Sequence, residues 1–230
     1  MATEKMSIAQ FVKKQITKWE QIYSQADRQT EASIPVITLS MEPGSGGSIV
    51  AQQIAGRLGF DLFNREIIEE IAKSAEIRET VIETLEKDRL SGVEDFIASL
   101  VKDQYIHPDL YLEHLFKVVS TIGKHGQAVI VGRGANFILP PDERFGVRVV
   151  APLQVRIQNI VNQYGISTED AKRRIIHRES RRRAYVRQSF NADIADPINY
   201  ELTINTGKMS PESAVEAVLG AVMNTLPNPS

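Results

Sequence analysis

Residues 34–59, IPVITLSMEPGSGGSIVAQQIAGRLG, decide the fold of this chain. The stretch begins with a short apolar run rich in β-branched residues, made of Ile34, Val36, Ile37 and Leu39. Such a run predicts a buried strand. A turn of proline, glycine and serine follows at 43–48, and a helical pattern then runs to Gly59. Together these elements predict a cradle for a phosphate, because the N–H groups of the turn and the helix N-terminus both attract an anion.

The turn aligns with the phosphate-loop template G-x-x-x-x-G-K-[ST] through the window 41–48, MEPGSGGS. Gly46 fills the second glycine position, and Ser48 supplies the hydroxyl that would bind Mg²⁺. Met41 stands at the first glycine position and Gly47 at the lysine position, so both depart from the template. Taken alone, the window also fits a glycine-rich strand–helix turn without a ligand.

Strand and helix patterns alternate along the rest of the chain. Residues 128–131 form a continuous apolar run, as expected of a strand that is buried on both faces of a parallel sheet. Further strands are predicted at 147–151 and 200–205, each followed by a helix. This alternation favours a doubly wound α/β fold. Ligands of such folds bind at the carboxyl ends of the strands, so Arg133, just after the 128–131 run, is a candidate cation for a phosphate.

An arginine-rich segment lies at 172–187, KRRIIHRESRRRAYVR. In a helix, the side chains that fall close together are Arg174, Arg178, Arg181, Arg182 and Tyr185. Three interpretations are open: a solvated basic face, a nucleic-acid-binding patch, and a lid that stabilises a transferring phosphoryl group. The net charge of −2 argues against the nucleic-acid patch. The glycine-rich turn in the same chain makes the lid the leading interpretation.

Composition limits the function further. With 230 residues, 42% of them hydrophobic and 24% charged, the chain is long enough for one α/β domain with a sizeable core. No apolar run approaches the ~18 residues of a membrane span, and no signal-peptide pattern opens the sequence. There are no cysteines, which excludes disulfides and cysteine-based zinc sites. We therefore expect a cytoplasmic protein whose partners are neither nucleic acid nor membrane.

Five segments together resemble the cytidylate kinase-like family of P-loop nucleoside monophosphate kinases. They are EPGSGGS (42–48), FNREII (63–68), VIVGRGANFIL (129–139), the arginine-rich stretch ending in RRRAYV (181–186) and YELTINTGKMSPESAVEAV (200–218). They occur in the family's order and cover about residues 34–220. The resemblance implies a three-layer P-loop NTPase fold, with a parallel five-stranded sheet of adenylate-kinase type, a helical lid and an added N-terminal helix.

The resemblance also implies an enzyme that moves the γ-phosphoryl group of ATP to a nucleoside monophosphate, with CMP or dCMP as the foremost acceptors. The expected partners are therefore small-molecule nucleotides, and the expected cofactors are ATP and Mg²⁺. The residues implied to hold the ATP phosphates are Gly44, Ser45, Gly46, Gly47 and Ser48. Ser48 is also the implied metal contact.

Two further groups of residues are implied by the resemblance. Those near the acceptor are Asn64, Arg65 and Arg133. The lid arginines, implied to neutralise charge between donor and acceptor and hence to be catalytic, are Arg178, Arg181, Arg182 and Arg183. Spacing alone does not assign separate roles to these four arginines.

This sequence departs from the family's pattern at four positions. Gly47 replaces the loop lysine, and Asn64, Gly134 and Glu201 stand where the family commonly has aspartate. The aspartate missing at 134 is one that helps to select cytosine in cytidylate kinases. An active enzyme without the lysine needs another cation, and our hypothesis is that Arg65 or a lid arginine supplies it. The alternatives are a nucleotide-binding regulatory module with little turnover, and a kinase for another small phosphate acceptor.

The predicted organisation has two parts. Residues 1–30 form an N-terminal amphipathic helix and linker, and residues 31–225 form the kinase domain. The domain carries a helical insertion at 75–105, which either covers the acceptor or is a solvated flap, and the arginine-rich lid at about 165–195. The apolar stripe of the N-terminal helix packs on the domain, on a second copy in a homodimer, or on a partner.

Overall fold

A five-stranded parallel sheet organises the fold. The structure is a computed structural model, and it describes residues 7–25, 36–85, 90–95, 97–98 and 109–225. The strands are β1 (Val36–Met41), β2 (Asp61–Phe63), β3 (Ala128–Val131), β4 (Arg144–Val150) and β5 (Leu202–Asn205). Their order is β2-β3-β1-β4-β5 and every pairing is parallel. The carboxyl ends of all strands therefore meet at one edge of the sheet, where the glycine-rich loop (residues 41–48) follows the central strand β1.

Helices connect the strands. They are α1 (Ile8–Gln25), α2 (Gly47–Leu58), α3 (Arg65–Lys73), α4 (Ala75–Ile82), α5 (Leu110–His125), α6 (Ala135–Ile138), α7 (Leu153–Tyr164), α8 (Thr168–Phe190) and α9 (Pro211–Thr225). Residues 90–95 and 97–98 are also helical, and a 3₁₀ turn spans Pro197–Asn199. Among the helices in the described part of the chain, none is both long and apolar enough to cross a membrane.

Helices cover both faces of the sheet and complete three layers. On one face, α2 and α9 pack over an apolar cluster that includes Ile37, Val147 and Val215. On the other face, α3 and α5 enclose a second cluster that includes Phe116 and Ile130. Burial on both faces explains why β3 is a continuous apolar run. The predicted fold class, a three-layer α/β fold with a parallel five-stranded sheet of adenylate-kinase type, is confirmed.

Two strand boundaries differ from the sequence prediction. β4 begins at Arg144 rather than at 147, because Gly146 interrupts the apolar pattern. Glycine suits this position because a Cβ there would collide with the side-chain amide of Asn136. β5 begins at Leu202 rather than at 200, because the N–H of Tyr200 closes the preceding 3₁₀ turn. The first boundary depends on a contact distant in sequence, whereas the second is set by the local hydrogen bond from the N–H of Tyr200 to the carbonyl oxygen of Pro197.

Several sequence predictions fall wholly or partly outside the described residues. They include the apolar position Ile34, the first-turn proline Pro108, the linker after the N-terminal helix and part of the 75–105 insertion. The helix predicted from Pro108 begins in the structure at Leu110. Its N-cap is Asp109, whose carboxylate accepts a hydrogen bond from the N–H of Leu112 at 2.8 Å.

The N-terminal helix α1 packs against the rest of its own chain. The buried ring of Trp19 stacks on His125, with ring centroids 4.0 Å apart, and on Phe63, with centroids 6.2 Å apart. Lys18 donates to the carboxylate of Asp61 at 2.6 Å. The apolar stripe of this helix is therefore used within the chain.

We expect Trp19→Ala to lower the free energy of unfolding by about 3 kcal/mol, because it removes a fully packed aromatic side chain and leaves a cavity. Urea unfolding followed by circular dichroism measures this change. Lys14→Ala, at an exposed position of the same helix, is the control and is expected to change stability by less than about 0.5 kcal/mol. Equal stability of the two variants would show that α1 is not part of the folded core.

The predicted 75–105 insertion contributes to the core. Val81, Leu85, Val93 and Ile97 are all buried in the apolar cluster that α3 and α5 enclose. These residues are widely spaced in a charged segment, so the sequence predicted no central role for them. Packing brings them onto one surface, and this part of the segment is therefore neither a solvated flap nor only a cover for the acceptor. The rest of the segment lies outside the described residues.

Candidate active site

The glycine-rich loop has a backbone shape that suits phosphate binding. Gly44 and Gly46 have φ angles of +82° and +76°, in the left-handed region that only glycine enters at little cost. Within the described residues, the N–H groups of both glycines donate to no backbone acceptor. The first N–H groups of α2 also have no partner within the helix. The loop therefore presents several free donors at a helix N-terminus.

Neighbouring elements hold the carbonyl groups of the loop. Asn159 of α7 donates from Nδ2 to the carbonyl oxygen of Gly44 at 2.8 Å. Thr206, just after β5, donates from Oγ1 to the carbonyl oxygen of Ser45 at 2.6 Å. A Cβ at Gly44 would lie 2.5 Å from the carbonyl oxygen of Arg156, so α7 closes directly on the loop. These contacts fix the carbonyl groups outward and leave the N–H groups for a ligand.

Glu42 and Arg156 join the loop to the long helix α8. The Glu42 carboxylate accepts a hydrogen bond from the N–H of Ala151 at 3.0 Å and lies 3.4 Å from Nε of Arg156. Arg156 also donates from Nη1 to the Glu179 carboxylate of α8 at 2.6 Å. A movement of α8 is therefore coupled mechanically to the loop.

Two loop hydroxyls bear on whether a nucleotide and Mg²⁺ fit here. Oγ of Ser45 is buried and has no hydrogen-bond partner among the residues that the structure describes, whereas Ser48 is exposed in the first turn of α2. An orphaned hydroxyl beside free N–H groups suits a polyanion. Over the described ranges, no cluster of three or more His, Asp or Glu side chains could hold a metal unaided. Mg²⁺ commonly binds one protein group together with substrate phosphates, so Ser48 and a bound triphosphate fit it.

Met41 occupies the space that the template lysine would need. A Cβ placed on Gly47 would lie 2.7 Å from the Cβ of Met41 and 2.9 Å from its sulfur. Real Cβ atoms do not approach other atoms so closely, and the Cβ of Met41 is fixed to the end of β1. The two departures from the template are therefore one steric feature, in which a side chain at position 41 requires glycine at position 47.

Among the four predicted lid arginines, Arg182 contacts the glycine-rich loop. Its Nη1 donates to the carbonyl oxygen of Met41 at 2.6 Å. Burial lowers the pKa of Arg182, and the charges of Arg178, Arg65 and Arg148 lower it further, which places these cations around it. Arginine is nonetheless the side chain that keeps its positive charge in proteins.

The other lid arginines occupy different environments. Arg178 is half-buried near Arg182, whereas Arg181 and Arg183 are exposed on α8. The guanidinium of Arg174, predicted to join this group, lies over the ring of Tyr164, 4.0 Å from the ring centroid. The helical pattern predicted one cluster of arginines, but contacts with other elements separate its members.

Glu69 brings two predicted acceptor-binding arginines together. Nε of Arg65 donates to Oε1 of Glu69 at 3.0 Å, and Nη2 of Arg133 contacts the same oxygen. Arg133 is mostly buried, and its burial, with the nearby charge of Arg65, lowers its pKa to about 10. Arg133 also has a left-handed φ of +55°, which is costly for a residue with a Cβ. Such strain beside a pair of cations is typical of a functional site.

Asn64, the third predicted acceptor residue, has a structural role in the described fold. It is the N-cap of α3, and its Oδ1 accepts a hydrogen bond from the N–H of Ile67 at 3.0 Å. This cap fixes the start of the helix that carries Arg65. Asn64 therefore lies next to the arginine pair, with one of its polar atoms already engaged.

An aromatic cluster fills the space beside Gly134. Gly134 has a φ of +73°, and a Cβ there would collide with the ring of Phe190. The rings of Phe137 and Tyr185 both pack against Phe190, with centroids 5.4 Å and 5.8 Å away. The hydroxyl of Tyr185 donates to the carbonyl oxygen of Arg133 at 3.3 Å, and burial raises the pKa of this hydroxyl. An aspartate at 134 would therefore require the ring of Phe190 to move, and the left-handed backbone at this position favours glycine.

Sequence reasoning missed two residues near this site. Glu69 appeared as one more charge on an amphipathic helix, and Arg148 appeared as one residue within a predicted strand. Arg148 is buried, and its Nη1 donates to Oγ of Ser40, the last residue before the glycine-rich loop, at 2.7 Å. A charged residue inside an otherwise apolar strand was the available signal for Arg148, because such a residue needs a specific reason for its burial.

Residues 36–208, about three quarters of the chain, match the sequence profile of the cytidylate kinase-like family. The chain belongs to this family. Family membership confirms the predicted class of enzyme, a nucleotide-binding P-loop kinase of the nucleoside monophosphate kinase type. The match includes the glycine-rich loop, the arginine pair at Glu69 and the whole of α8.

Individual relatives of this cytidylate kinase-like protein agree with the profile. The cytidylate kinase of Ignicoccus hospitalis is 29% identical over 188 residues, which cover 80% of this chain and 96% of that protein. The cytidylate kinase of Pyrococcus horikoshii is 28% identical over 187 residues, covering 81% and 88% of the two chains. A crystal structure of an uncharacterized protein from Eubacterium ventriosum superposes with a TM-score of 0.64 at 18% identity, covering 82% of this chain and 98% of that one. The structural match supports the fold alone.

Proposed function

We propose that this protein transfers the γ-phosphoryl group of ATP to a nucleoside monophosphate, with CMP and dCMP as the preferred acceptors. The observation that carries the proposal is the grouping of Arg182, Arg133 and Arg65, which come from three separate elements, with Arg182 in contact with the glycine-rich loop. Phosphoryl transfer requires positioning and positive charge rather than a covalent nucleophile, because its transition state spreads negative charge over the equatorial oxygens. Arginine suits this task because its planar fork matches phosphate oxygens and stays charged.

The donor end of the proposed reaction uses the glycine-rich loop. Its free N–H groups and the buried Ser45 hydroxyl would bind the ATP phosphates. Ser48 would hold Mg²⁺, which supplies charge neutralisation on the phosphate oxygens when it is bound. Arg182 would contact the transferring group, because its guanidinium already lies against the first residue of the loop.

The acceptor end uses the arginines that Glu69 holds together. A phosphate monoester carries more charge than the Glu69 carboxylate and can accept hydrogen bonds from both Arg65 and Arg133. In the transfer, a bond forms between an oxygen of the acceptor phosphate and the γ-phosphorus of ATP. The bond from that phosphorus to the bridging oxygen breaks, and ADP leaves with the electron pair. Arg182 then neutralises the charge between the two nucleotides.

The choice of acceptor base follows from two observations that act in opposite directions. The relatives named cytidylate kinase support a cytosine nucleotide. However, Gly134 lacks the carboxylate that helps to select cytosine, and the ring of Phe190 fills the space where that carboxylate would lie. We therefore expect CMP and dCMP to be accepted, with UMP following within about tenfold in kcat/KM, since one lost hydrogen bond to a base is worth about 1.4 kcal/mol.

The test is ADP release from Mg·ATP with CMP, dCMP, UMP, AMP, GMP or no acceptor. We expect release that depends on a pyrimidine monophosphate. ATP binding without acceptor-dependent release would contradict the proposal and favour a nucleotide-binding regulatory module. Release with AMP or GMP alone would retain the transfer reaction but overturn the pyrimidine preference.

A further inference from the structure

Arg148 is a buried cation without an anionic partner. It lies on β4 opposite Ser40 of β1, and its exposed fraction is only 7%. Its Nη1 donates to the neutral hydroxyl of Ser40, and its Nε is buried without an acceptor among the residues described. Over the same ranges, no carboxylate forms an ion pair with it.

Other buried arginines of the domain are neutralised. Arg144, four residues earlier on the same strand and on the same face, donates to Glu201 at 2.8 Å. Arg156 contacts two carboxylates, and Arg133 contacts Glu69. Arg144, Arg156 and Arg133 therefore each have a carboxylate as counterion, and Arg148 differs from these three arginines of the described residues.

A buried guanidinium without a counterion is unfavourable. Removing a charge from water is costly unless an opposite charge and hydrogen bonds compensate for it. Arginine does not escape this cost by losing its proton, because its pKa is too high. The ring of Tyr200, whose centroid lies 6.0 Å from the guanidinium carbon, compensates for this cost only weakly, so an anion would complete the surroundings of Arg148.

The position of Arg182 indicates where such an anion would bind. Arg148 contacts the side chain of Ser40 and Arg182 contacts the carbonyl oxygen of Met41, so the two guanidinium groups lie against consecutive residues at the end of β1. Their proximity is unfavourable as long as no anion separates them, and the charge of Arg148 lowers the pKa of Arg182. Both guanidinium groups lie at the start of the glycine-rich loop, whose free N–H groups are the proposed hydrogen-bond donors to a phosphate.

We propose that Arg148 and Arg182 form a two-arginine clamp that a phosphate group of the donor nucleotide completes, and that Arg148 replaces the charge of the missing loop lysine. The inference deepens the proposed function and rests on it, since the donor is the nucleotide named there. In the standard loop the cation stands at position 47, which Met41 blocks here. In this chain the cation reaches the phosphates from β4 instead.

The test compares Arg148→Met, Arg148→Lys and the control Arg144→Met. Arg144→Met also removes a buried arginine from β4, but one that Glu201 neutralises. Calorimetry measures the affinities of each protein for ATP, inorganic tripolyphosphate and adenosine. Thermal unfolding is measured with and without tripolyphosphate. Neither method requires turnover.

We expect Arg148→Met to weaken ATP and tripolyphosphate binding by about tenfold to a hundredfold, as for a lost charged hydrogen bond, and to leave adenosine binding unchanged. Arg148→Lys should lose less affinity because it keeps the charge. Without ligand, Arg148→Met should unfold at the same or a higher temperature than the wild type, since an unpaired buried charge has been removed. Arg144→Met should unfold at a lower temperature and bind tripolyphosphate as the wild type does.

Two results would overturn the clamp. Unchanged tripolyphosphate affinity in Arg148→Met would exclude it even if the protein transfers phosphoryl groups to CMP. Equal loss of affinity for adenosine and tripolyphosphate, with a lower unfolding temperature, would show a purely structural role. If Arg148→Met does not fold, Arg148→Gln, which also removes the charge, takes its place, and a wild-type affinity for tripolyphosphate with an unchanged dependence on salt in that variant would equally contradict the clamp. If Arg148→Met selectively loses phosphate binding but the wild-type protein transfers phosphoryl groups to no acceptor, the clamp is supported and the proposed function is refuted.

Discussion

Replacing Arg182 by methionine is expected to lower kcat for phosphoryl transfer by about 10³-fold. The guanidinium of Arg182 lies against the carbonyl oxygen of Met41, beside the free N–H groups of the glycine-rich loop. An arginine that stabilises the transferring phosphoryl group is worth about 10³-fold to 10⁵-fold in comparable enzymes, and the lower end is expected here because other arginines remain. Steady-state kinetics at saturating ATP and acceptor measure the change.

The control for Arg182→Met is Arg173→Met on the same helix. Arg173 is exposed and pairs with Asp170 near the start of α8, away from the loop. We expect the kcat of Arg173→Met to stay within about twofold of the wild type, since surface ion pairs contribute little to the stability of the fold. Arg182→Lys adds a second comparison, because it keeps the charge but loses the planar fork, and we expect it to recover only part of the rate. A kcat for Arg182→Met within tenfold of the wild type would remove this residue from the catalytic role.

Introducing the template lysine as Gly47→Lys is expected to impair the protein rather than improve it. The new Cβ would lie 2.7 Å from the Cβ of Met41, so the end of β1 or the start of α2 must shift. We expect the free energy of unfolding to fall by about 1–3 kcal/mol, as in other overpacked sites, and ATP affinity to fall because the loop is distorted. Chemical denaturation and calorimetry with ATP measure the two effects.

The companion variant Met41→Gly/Gly47→Lys restores both template positions at once. We expect it to bind ATP at least tenfold more tightly than Gly47→Lys, because the glycine removes the clash and the lysine can then reach the phosphates. A double-mutant cycle with Met41→Gly isolates the coupling between the two positions.

Gly56→Lys is the matched control for this series, since it lies on the same helix and its Cβ would enter open space. It should raise stability by about 0.5–1 kcal/mol through helix propensity alone. Additive effects at positions 41 and 47 would show that Met41 does not exclude the lysine.

Local sequence patterns predicted much of the fold because they report burial directly. The run at 128–131 is continuous and apolar, the run at 36–39 is apolar apart from Thr38, and both are strands covered on two faces. The start of β4 was missed because Gly146 interrupts the apolar pattern. A glycine is needed at this position because a Cβ would collide with Asn136, which belongs to another element. The role of Val81 and Val93 in the core was missed because neither residue lies in a periodic apolar segment.

The candidate site likewise has features that local sequence predicted and features that it did not. The glycine-rich loop was predictable because its glycines are neighbours in sequence and their backbone conformations are local. The arginine pair at Glu69 was only partly predictable, because Arg133 was selected from its place after a predicted strand and Arg65 by resemblance, whereas the carboxylate between them was not selected. Arg148 was not predicted at all, since its significance lies in the absence of a counterion among the described residues around it.

The sequence by itself determined that the chain is an α/β protein with a glycine-rich loop, a lysine-less template window and an arginine-rich helix. These properties depend on residues that are close along the chain, where periodicity and backbone preference act. Only the tertiary structure decided that Met41 blocks position 47, that Arg182 is the lid arginine against the loop, and that Phe190 fills the space beside Gly134. Each of these depends on side chains brought together from distant parts of the chain, and packing in three dimensions, rather than any local preference, sets their distances.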